Sequence, residues 1–300
     1  MAEPADINFK SGFVAIIGAP NVGKSTLLNR LLGQKLSITS KKPQTTRNRI
    51  LAIIHRPDAQ IVFLDTPGVH HADKPLNVRI VDIALSVLGD VDLVLMMVDA
   101  SRPDHNSERL LIRSLKEQKT PVLLALNKID LIKKPVLLAQ ISSWSKQYPF
   151  LSIIPISAKH GDQIQDLLTS MIHALPSGPP LYPQDTVTDL PMRFIAAEMI
   201  REKVFRLTGQ EIPYAVAVTV DTFQRKKTTG PVSIQATIHV ERESQKGMVI
   251  GKKGSKLKQI GEAARKEIEG MVGAKVFLKL FVRVQKNWSR DTKAIRRFGY

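Results

Sequence analysis

The chain has 300 residues, 43% of them hydrophobic and 24% charged, and no cysteine. That size suits two domains rather than one core, the apolar content excludes a disordered chain, and the lack of thiols excludes disulfides, thiolate catalysis and cysteine-bound metal. The net charge of +17 is uneven, with +6 on residues 1–178, 0 on 179–243 and +11 on 244–300, so the C-terminal stretch is expected to meet a polyanion, nucleic acid or an acidic membrane surface, unless it is simply a solvated basic face.

Residues 1–11 read as an N-terminal extension. MAEPADINFK places two acids before its first base and holds no apolar run, so a signal peptide is not expected. Over residues 12–178, short and almost continuously apolar runs at 13–17, 61–64, 93–98, 122–126 and 153–156 alternate with helical patterns. Strands buried on both faces read this way, and the intervals leave room for crossover helices. The pattern implies an α/β domain with a mostly parallel sheet and helices on both faces. The spacing predicts a helix over 24–32, with Leu27, Leu28, Leu31 and Leu32 on one stripe and Gly33 ending it. None of the runs approaches the roughly 18 apolar residues that span a bilayer.

Five prolines fall between residues 175 and 191, so this stretch is neither helix interior nor central strand. Residues 179–191 read as an inter-domain linker or an ordered strap. A smaller α+β domain is expected over 192–285. A helix is predicted over 192–207, with Ile195, Met199 and Ile200 on one side. Val216, Val218 and Val220 suggest a strand; Val232, Ile234, Ala236, Ile238 and Val240 alternate with Ser233, Gln235, Thr237 and His239 in a second. A helix is predicted over 255–268 through Leu257, Ile260, Gly261, Ala264 and Ile268, and a third strand through Val276, Leu278, Leu280, Val282 and Val284. Residues 286–300 form a basic tail with Trp288, Arg290, Lys293, Arg296, Arg297 and Phe298. It reads either as a basic helix touching RNA or membrane, or as a solvated helix packed through Trp288.

Gly18, Ala19, Pro20, Asn21, Val22, Gly23, Lys24 and Ser25 follow the first buried run and open the first helix, with Thr26 next. They fit G-x-x-x-x-G-K-[ST], in which backbone N–H groups and a helix N-terminus close on phosphate oxygens. Lys24 would neutralise β/γ-phosphate charge, and the Ser25 hydroxyl would take a place on Mg²⁺. Asp65, Thr66, Pro67 and Gly68 end the 61–64 run. Asp65 there would hold Mg²⁺ through water, and the Gly68 N–H would reach a γ-phosphate. Asn127, Lys128, Ile129 and Asp130 end the 122–126 run, and Asp130 would accept from guanine N1–H and N2–H₂, which adenine lacks. Ser157, Ala158 and Lys159 end the next run and would close over the base. All these segments sit where open parallel sheets bind ligands, at the carboxyl ends of strands.

The set GAPNVGKS, DTPG, NKID and SAK, over about 165 residues, resembles the TrmE–Era branch of the translation-factor-type GTPases. The resemblance implies a P-loop GTPase domain that binds GTP and GDP with Mg²⁺. It implies that a threonine of Pro43-Gln44-Thr45-Thr46-Arg47 closes over γ-phosphate and Mg²⁺, Thr46 before Thr45. Asn21 matches an asparagine that helps relatives hold a potassium ion; the alternative is that it only shapes the loop. Val69 stands where Ras-like GTPases carry a water-orienting glutamine, so hydrolysis by the chain alone is expected to be slow.

Ile250, Gly251, Lys252, Lys253, Gly254, Ser255 and Lys256 carry the second signal. Strand-like residues lead into a G-K-K-G loop, and a helix follows it with Ser255 as its cap. The region 192–285 resembles a type II KH domain, whose GXXG loop clamps about four nucleotides of single-stranded RNA. The bases are expected beside Ile250, Leu257 and the second strand. The order of GTPase and KH domains resembles the Era family over essentially the whole chain. That implies binding near the 3′ end of 16S ribosomal RNA, assembly of the small (30S) ribosomal subunit, a monomer, and a cytoplasmic location. The rival expectation is a membrane-peripheral switch whose basic tail meets anionic lipid.

Overall fold

In the computed structural model, which describes residues 9–38, 50–69, 81, 85–208, 212, 216–225 and 230–298, the apolar runs of the first half become one six-stranded sheet. The strands are β1 (Lys10–Gly18), β2 (Ile50–His55), β3 (Ala59–Asp65), β4 (Leu93–Asp99), β5 (Val122–Asn127) and β6 (Ser152–Ile156), in the order β2-β3-β1-β4-β5-β6. Every pairing is parallel except β2 with β3. Between them run α1 (Lys24–Leu32), α2 (His105–Lys116), α3 (Lys134–Ser145) and α4 (Ile164–Ala174). One sheet face packs Ala15, Ile17, Met96 and Leu124 against Leu111 and Leu115 of α2 and Trp144 of α3. Leu27 and Leu28 of α1 and Leu167 and Met171 of α4 are buried outside that cluster. Helix α1 stops at Gly33, which adopts the left-handed conformation (φ 67°) common after a last turn.

The N-terminal boundary and the second strand were not anticipated in the sequence. Strand β1 begins at Lys10, paired with Ala59, inside the stretch read as an N-terminal extension. Strand β2 was not expected. Its run is as continuously apolar as the others, but it lies too close to the 61–64 run for a crossover helix, and it returns to β3 through a tight hairpin in which the Arg56 N–H donates to Ala59 O at 2.8 Å. It is a sheet edge, yet Ile50 to Ile54 are buried. The proline-rich segment supplies the cover. Ile53 N–H donates to Val187 O at 2.9 Å, Thr188 Oγ1 donates to Leu51 O at 2.6 Å, and Gln60 Oε1 accepts from the Leu181 and Tyr182 N–H groups at 2.6 and 2.8 Å. The segment is therefore a strap that satisfies an open edge, and the first compact unit extends to Asp189.

The second unit, chiefly Leu190–Tyr300, holds α5 (Met192–Leu207), β7 (Ala217–Arg225), β8 (Val232–Val240), α6 (Glu243–Ile250), α7 (Ser255–Val272), β9 (Val276–Val284) and α8 (Thr292–Arg297). Strand β8 is central, antiparallel to β7 and parallel to β9. Helix α5 packs on α7 and β7 and buries ion pairs along with its apolar residues: Arg201 Nε donates to Glu198 at 2.7 Å, and Lys203 pairs with Glu267. Helix α6 corrects the expectation that 248–250 are strand-like. Only Val249 of its eight residues is buried, so no stripe marks it in sequence; Gln245 Oε1 fixes its start by accepting from the Glu241 and Arg242 N–H groups at 2.8 and 3.1 Å.

The tail belongs to this unit. Trp288 is fully buried, edge-on to Phe298 at 5.1 Å, and the Phe298 ring lies 4.5 Å from His239 on β8. Burial pulls His239 down to about 4, so its ring is neutral at pH 7. Lys293, Arg296 and Arg297 remain exposed. Trp288→Ala is expected to destabilise the second unit by about 3–5 kcal/mol, as large-to-small changes at fully buried aromatics do. Urea unfolding measures this, and an unchanged midpoint would show that the tail is not part of the core.

Candidate functional site

The ligand-facing loops of the first unit gather at the carboxyl ends of β1, β3, β5 and β6 because the parallel register puts those ends side by side. Ile16 pairs with Asp65, Asp99 with Asn127, and Asn127 with Ile156. Gly23, at the start of α1, has φ 108°, and a Cβ there would lie 2.2 Å from Asn127 Nδ2, so only glycine fits. Ala19 and Val22 turn their side chains into the core, which leaves backbone to face a ligand; Asn21 is exposed at the turn in the left-handed conformation (φ 64°).

Lys24 is buried at the first position of α1, its Nζ donating to Gly18 O at 2.9 Å and Ala19 O at 3.0 Å. Burial lowers its ammonium to about 8, against an opposing pull from Asp65. Asp65 is fully buried. Its Oδ2 accepts from Ser25 Oγ at 3.2 Å and Ser37 Oγ at 2.7 Å, while its Oδ1 is buried without a partner among the described residues. Burial raises the Asp65 pKa, partly offset by Ser37 and Lys24. A carboxylate oxygen left unpaired beside the Ser25 hydroxyl fits a hard divalent cation that takes oxygen ligands. Thr66 spends its hydroxyl on Ile16 O at 2.7 Å, clamping its loop to β1, and the Val69 N–H donates to Gly18 O at 3.1 Å. The Val69 side chain lies in the apolar core. Thr45 and Thr46 lie outside the described residues.

At the other end of the site, Asn127 Nδ2 donates to Val22 O at 2.6 Å and its Oδ1 accepts from the Ala158 N–H at 2.9 Å. Asp130 Oδ1 accepts from Ser157 Oγ at 2.7 Å, the main reason its carboxyl is held below the usual range; His160 Nε2 lies 3.6 Å from Oδ2. Three residues that sequence reasoning missed complete the frame. Arg30 of α1 donates to the carbonyls of Ala158 (2.6 Å) and Lys159; Asp99 pairs with Lys128; Ser37 holds Asp65. Asp99 ends a buried run as Asp65 does and was legible in that pattern. Arg30 and Ser37 carry no local signal.

In the second unit the GKKG loop joins α6 to α7. Gly251 (φ 72°) needs glycine, since a Cβ would lie 2.6 Å from Lys256 Cβ. Lys252 and Lys253 are exposed. The residue before α7 is Gly254, in the left-handed conformation; Ser255 is the helix's first residue and not its cap. A groove of about 370 Å³ runs beside the loop, lined by Gly254 of the loop, by Leu257 and Gly261 of α7, and by Leu278, Lys279 and Leu280 of β9. The strand that walls this groove is the edge strand β9, next to the central β8 beside which the bases were expected.

The family model described as a 50S ribosome-binding GTPase matches residues 13–128, and the KH domain model matches residues 211–289. The chain is 55% identical to the GTPase Era of Geotalea uraniireducens over 292 residues, 97% of this chain and 98% of the relative. It superimposes with a TM-score of 0.92 on the crystal structure of an Aquifex aeolicus Era variant bound to GDP and AlF₄⁻, at 41% identity and covering 97% and 99% of the two chains. The same score and coverage, at 42% identity, hold for Era in complex with MgGDPNP and nucleotides 1506–1542 of 16S ribosomal RNA.

Phosphates favour charged Lys24, so nucleotide binding is expected to raise its pKa from about 8. The sign follows: affinity stays level while Lys24 is already protonated, well below pH 8, and falls above it by up to about tenfold per pH unit. Calorimetry at about pH 8.5 in two buffers of different ionisation enthalpy should report net proton uptake; equal heats would rule it out.

Proposed function

This chain belongs to the Era family of GTPases, and we propose that its GTP cycle gates a clamp on single-stranded RNA near the 3′ end of 16S ribosomal RNA during assembly of the 30S subunit. The chain hydrolyses GTP, as its family does. In the proposed site, P-loop N–H groups and Lys24 take up phosphate charge, and the Gly68 N–H supplies a further donor. Ser25 and Asp65, with Thr46, would hold Mg²⁺, whose chemistry is to neutralise charge on the transferring phosphoryl group. Asn21 is the residue that would hold a potassium ion. The Val69 side chain offers neither donor nor acceptor to water, which supports a slow turnover by the chain alone. The Asp130 carboxylate would read guanine, with Lys128 and the Ser157–Lys159 loop around the base.

One observation carries the RNA reading: an exposed GKKG loop opens onto an apolar groove rimmed by Lys258 and Arg265, with Glu262 between them. Apolar walls suit bases, and cations suit the backbone. The complex of an Era with a 16S ribosomal RNA fragment supports the choice of RNA. The lipid alternative is weakened by the tail, whose Trp288, Ile295 and Phe298 are buried rather than free to enter a bilayer. No described helix is long and apolar enough to cross a membrane.

Asp130→Asn is expected to weaken GTP binding about tenfold or more, the effect of an unpaired polar group worth about 1–3 kcal/mol, and to admit xanthosine triphosphate, whose C2 oxygen accepts where the guanine N2–H₂ donates. Unchanged GTP affinity would remove Asp130 from the base site. Lys252→Asp with Lys253→Asp keeps the glycines and replaces two phosphate-seeking cations with anions. RNA affinity should drop sharply, with the log–log salt slope flatter by about 0.7 for each phosphate no longer neutralised, and GTP affinity should stay constant. Wild-type RNA binding by the folded double variant would show that the loop is not the clamp.

A further inference from the structure

Strand β9 has two usable faces. Leu278 and Leu280 are partly covered and line the groove, while Phe277, Lys279, Phe281 and Arg283 alternate with them and are exposed. Phe277 is 64% and Phe281 42% exposed, and they are the only aromatic rings among the exposed large hydrophobics of the described residues. The register fixes their surroundings. Phe277 stands opposite Ser233, Lys279 opposite Gln235, Phe281 opposite Thr237, and Arg283 opposite His239. The far end of this face is closed by the tail, through Phe298 on His239; the Phe277–Phe281 end is open. At a strand rise of about 3.3 Å per residue the two rings stand about 13 Å apart, with a cation between them. Lys279 Nζ lies 5.2 Å from the Phe281 ring centre. A hollow of about 620 Å³ lies against Phe281, Thr237 and Arg283; of the acids on it, Asp221 accepts from Thr237 Oγ1 at 2.7 Å, and Glu243 lies 3.8 Å from Lys246.

We propose that this face is a second RNA site, a stacking platform in which bases of the strand outside the groove lie on Phe277 and Phe281 while Lys279 and Arg283 meet its phosphates. Ring faces accept any base, and cations set between rings match a charged backbone. The Ser233, Gln235 and Thr237 floor offers little apolar area to a protein partner, which favours a nucleic acid. Because β9 walls the groove with its alternate residues, one RNA strand reaches the platform by passing the strand's edge. The platform rests on the RNA-binding reading above and extends the clamp from about four nucleotides to a longer footprint.

The test compares two kinds of probe by fluorescence anisotropy: RNA of nucleotides 1506–1542 of 16S ribosomal RNA, and fragments of about six nucleotides tiled through it. Phe277→Ala with Phe281→Ala should leave the tightest short fragment unchanged and weaken the long RNA about tenfold for each ring removed. Phe281→Trp should restore or exceed wild-type binding of the long RNA. The exposed positions predict an unchanged unfolding midpoint. Wild-type affinity for the long RNA in the double alanine variant overturns the platform, including the case in which this face docks a protein. Equal weakening of long and short probes also overturns it, because the rings would then be supporting the groove. The clamp is judged apart from the platform: Lys252→Asp with Lys253→Asp should weaken both probes, and a wild-type protein that bound neither would fail the RNA reading itself and the platform with it.

Discussion

Asn127 joins the Val22 carbonyl to the Ala158 N–H through its two amide atoms, at 2.6 and 2.9 Å. One buried side chain thereby sets the distance between the loop that would hold phosphates and the loop that would hold a base. The constraint also acts backwards on the sequence: Gly23 is glycine because Nδ2 of this residue occupies the space of a Cβ. Two motifs that lie about a hundred residues apart in the chain are therefore one packing problem. Arg30 closes the frame from the other side. It sits on the helix that begins with Lys24, and it holds the carbonyls of Ala158 and Lys159. Buried polar groups satisfied by one another in this way rigidify a site.

Within that frame the charges are left short of compensation. Lys24 and Asp65 are both buried and do not bond one another; Lys24 is held by loop carbonyls, and Asp65 keeps one oxygen unpaired among the described residues. Burial pushes each toward its neutral form. Such a site is costly by itself and is relieved by a polyanion that arrives with a divalent cation. A ligand of that kind binds the folded state alone and so adds to its stability. The frame and the charges thus work together: the hydrogen bonds hold a geometry that the charges would otherwise relax.

Much of this was legible in the chain. Buried parallel strands are continuous in their apolar residues, and the motif-bearing loops follow them directly, so 13–17, 61–64 and 122–126 located the sheet and pointed to the candidate site at its carboxyl edge. Strand β2 was missed because its cover comes from the strap around residues 181–188, far away in sequence. Helix α6 was missed because a helix of eight residues burying only Val249 has no periodic stripe. Ser255 was read as a cap by residue type, whereas the left-handed Gly254 already turns the chain into α7. Arg30 and Ser37 act on backbone and carboxylate groups brought close only by the fold, and nothing local announces them.

Strand β9 shows where a local pattern carries more than fold. Alternation in VFLKLFVRV reads as a half-buried strand, and the inward set is as expected. The outward set should then be polar throughout. Phe277 and Phe281 break that rule on a face where neither is covered by the unit's own helices. Elsewhere in this unit large aromatic rings are put to use inside: Phe205 and Trp288 are fully buried, and Phe298 shields His239. Consistency across levels is the usual mark of a folded sequence, and unexplained violations gather at functional surfaces. Two rings exposed on one strand, spaced by lysine and followed by arginine, contribute nothing evident to folding, which leaves recognition as the physical reason for keeping them in water.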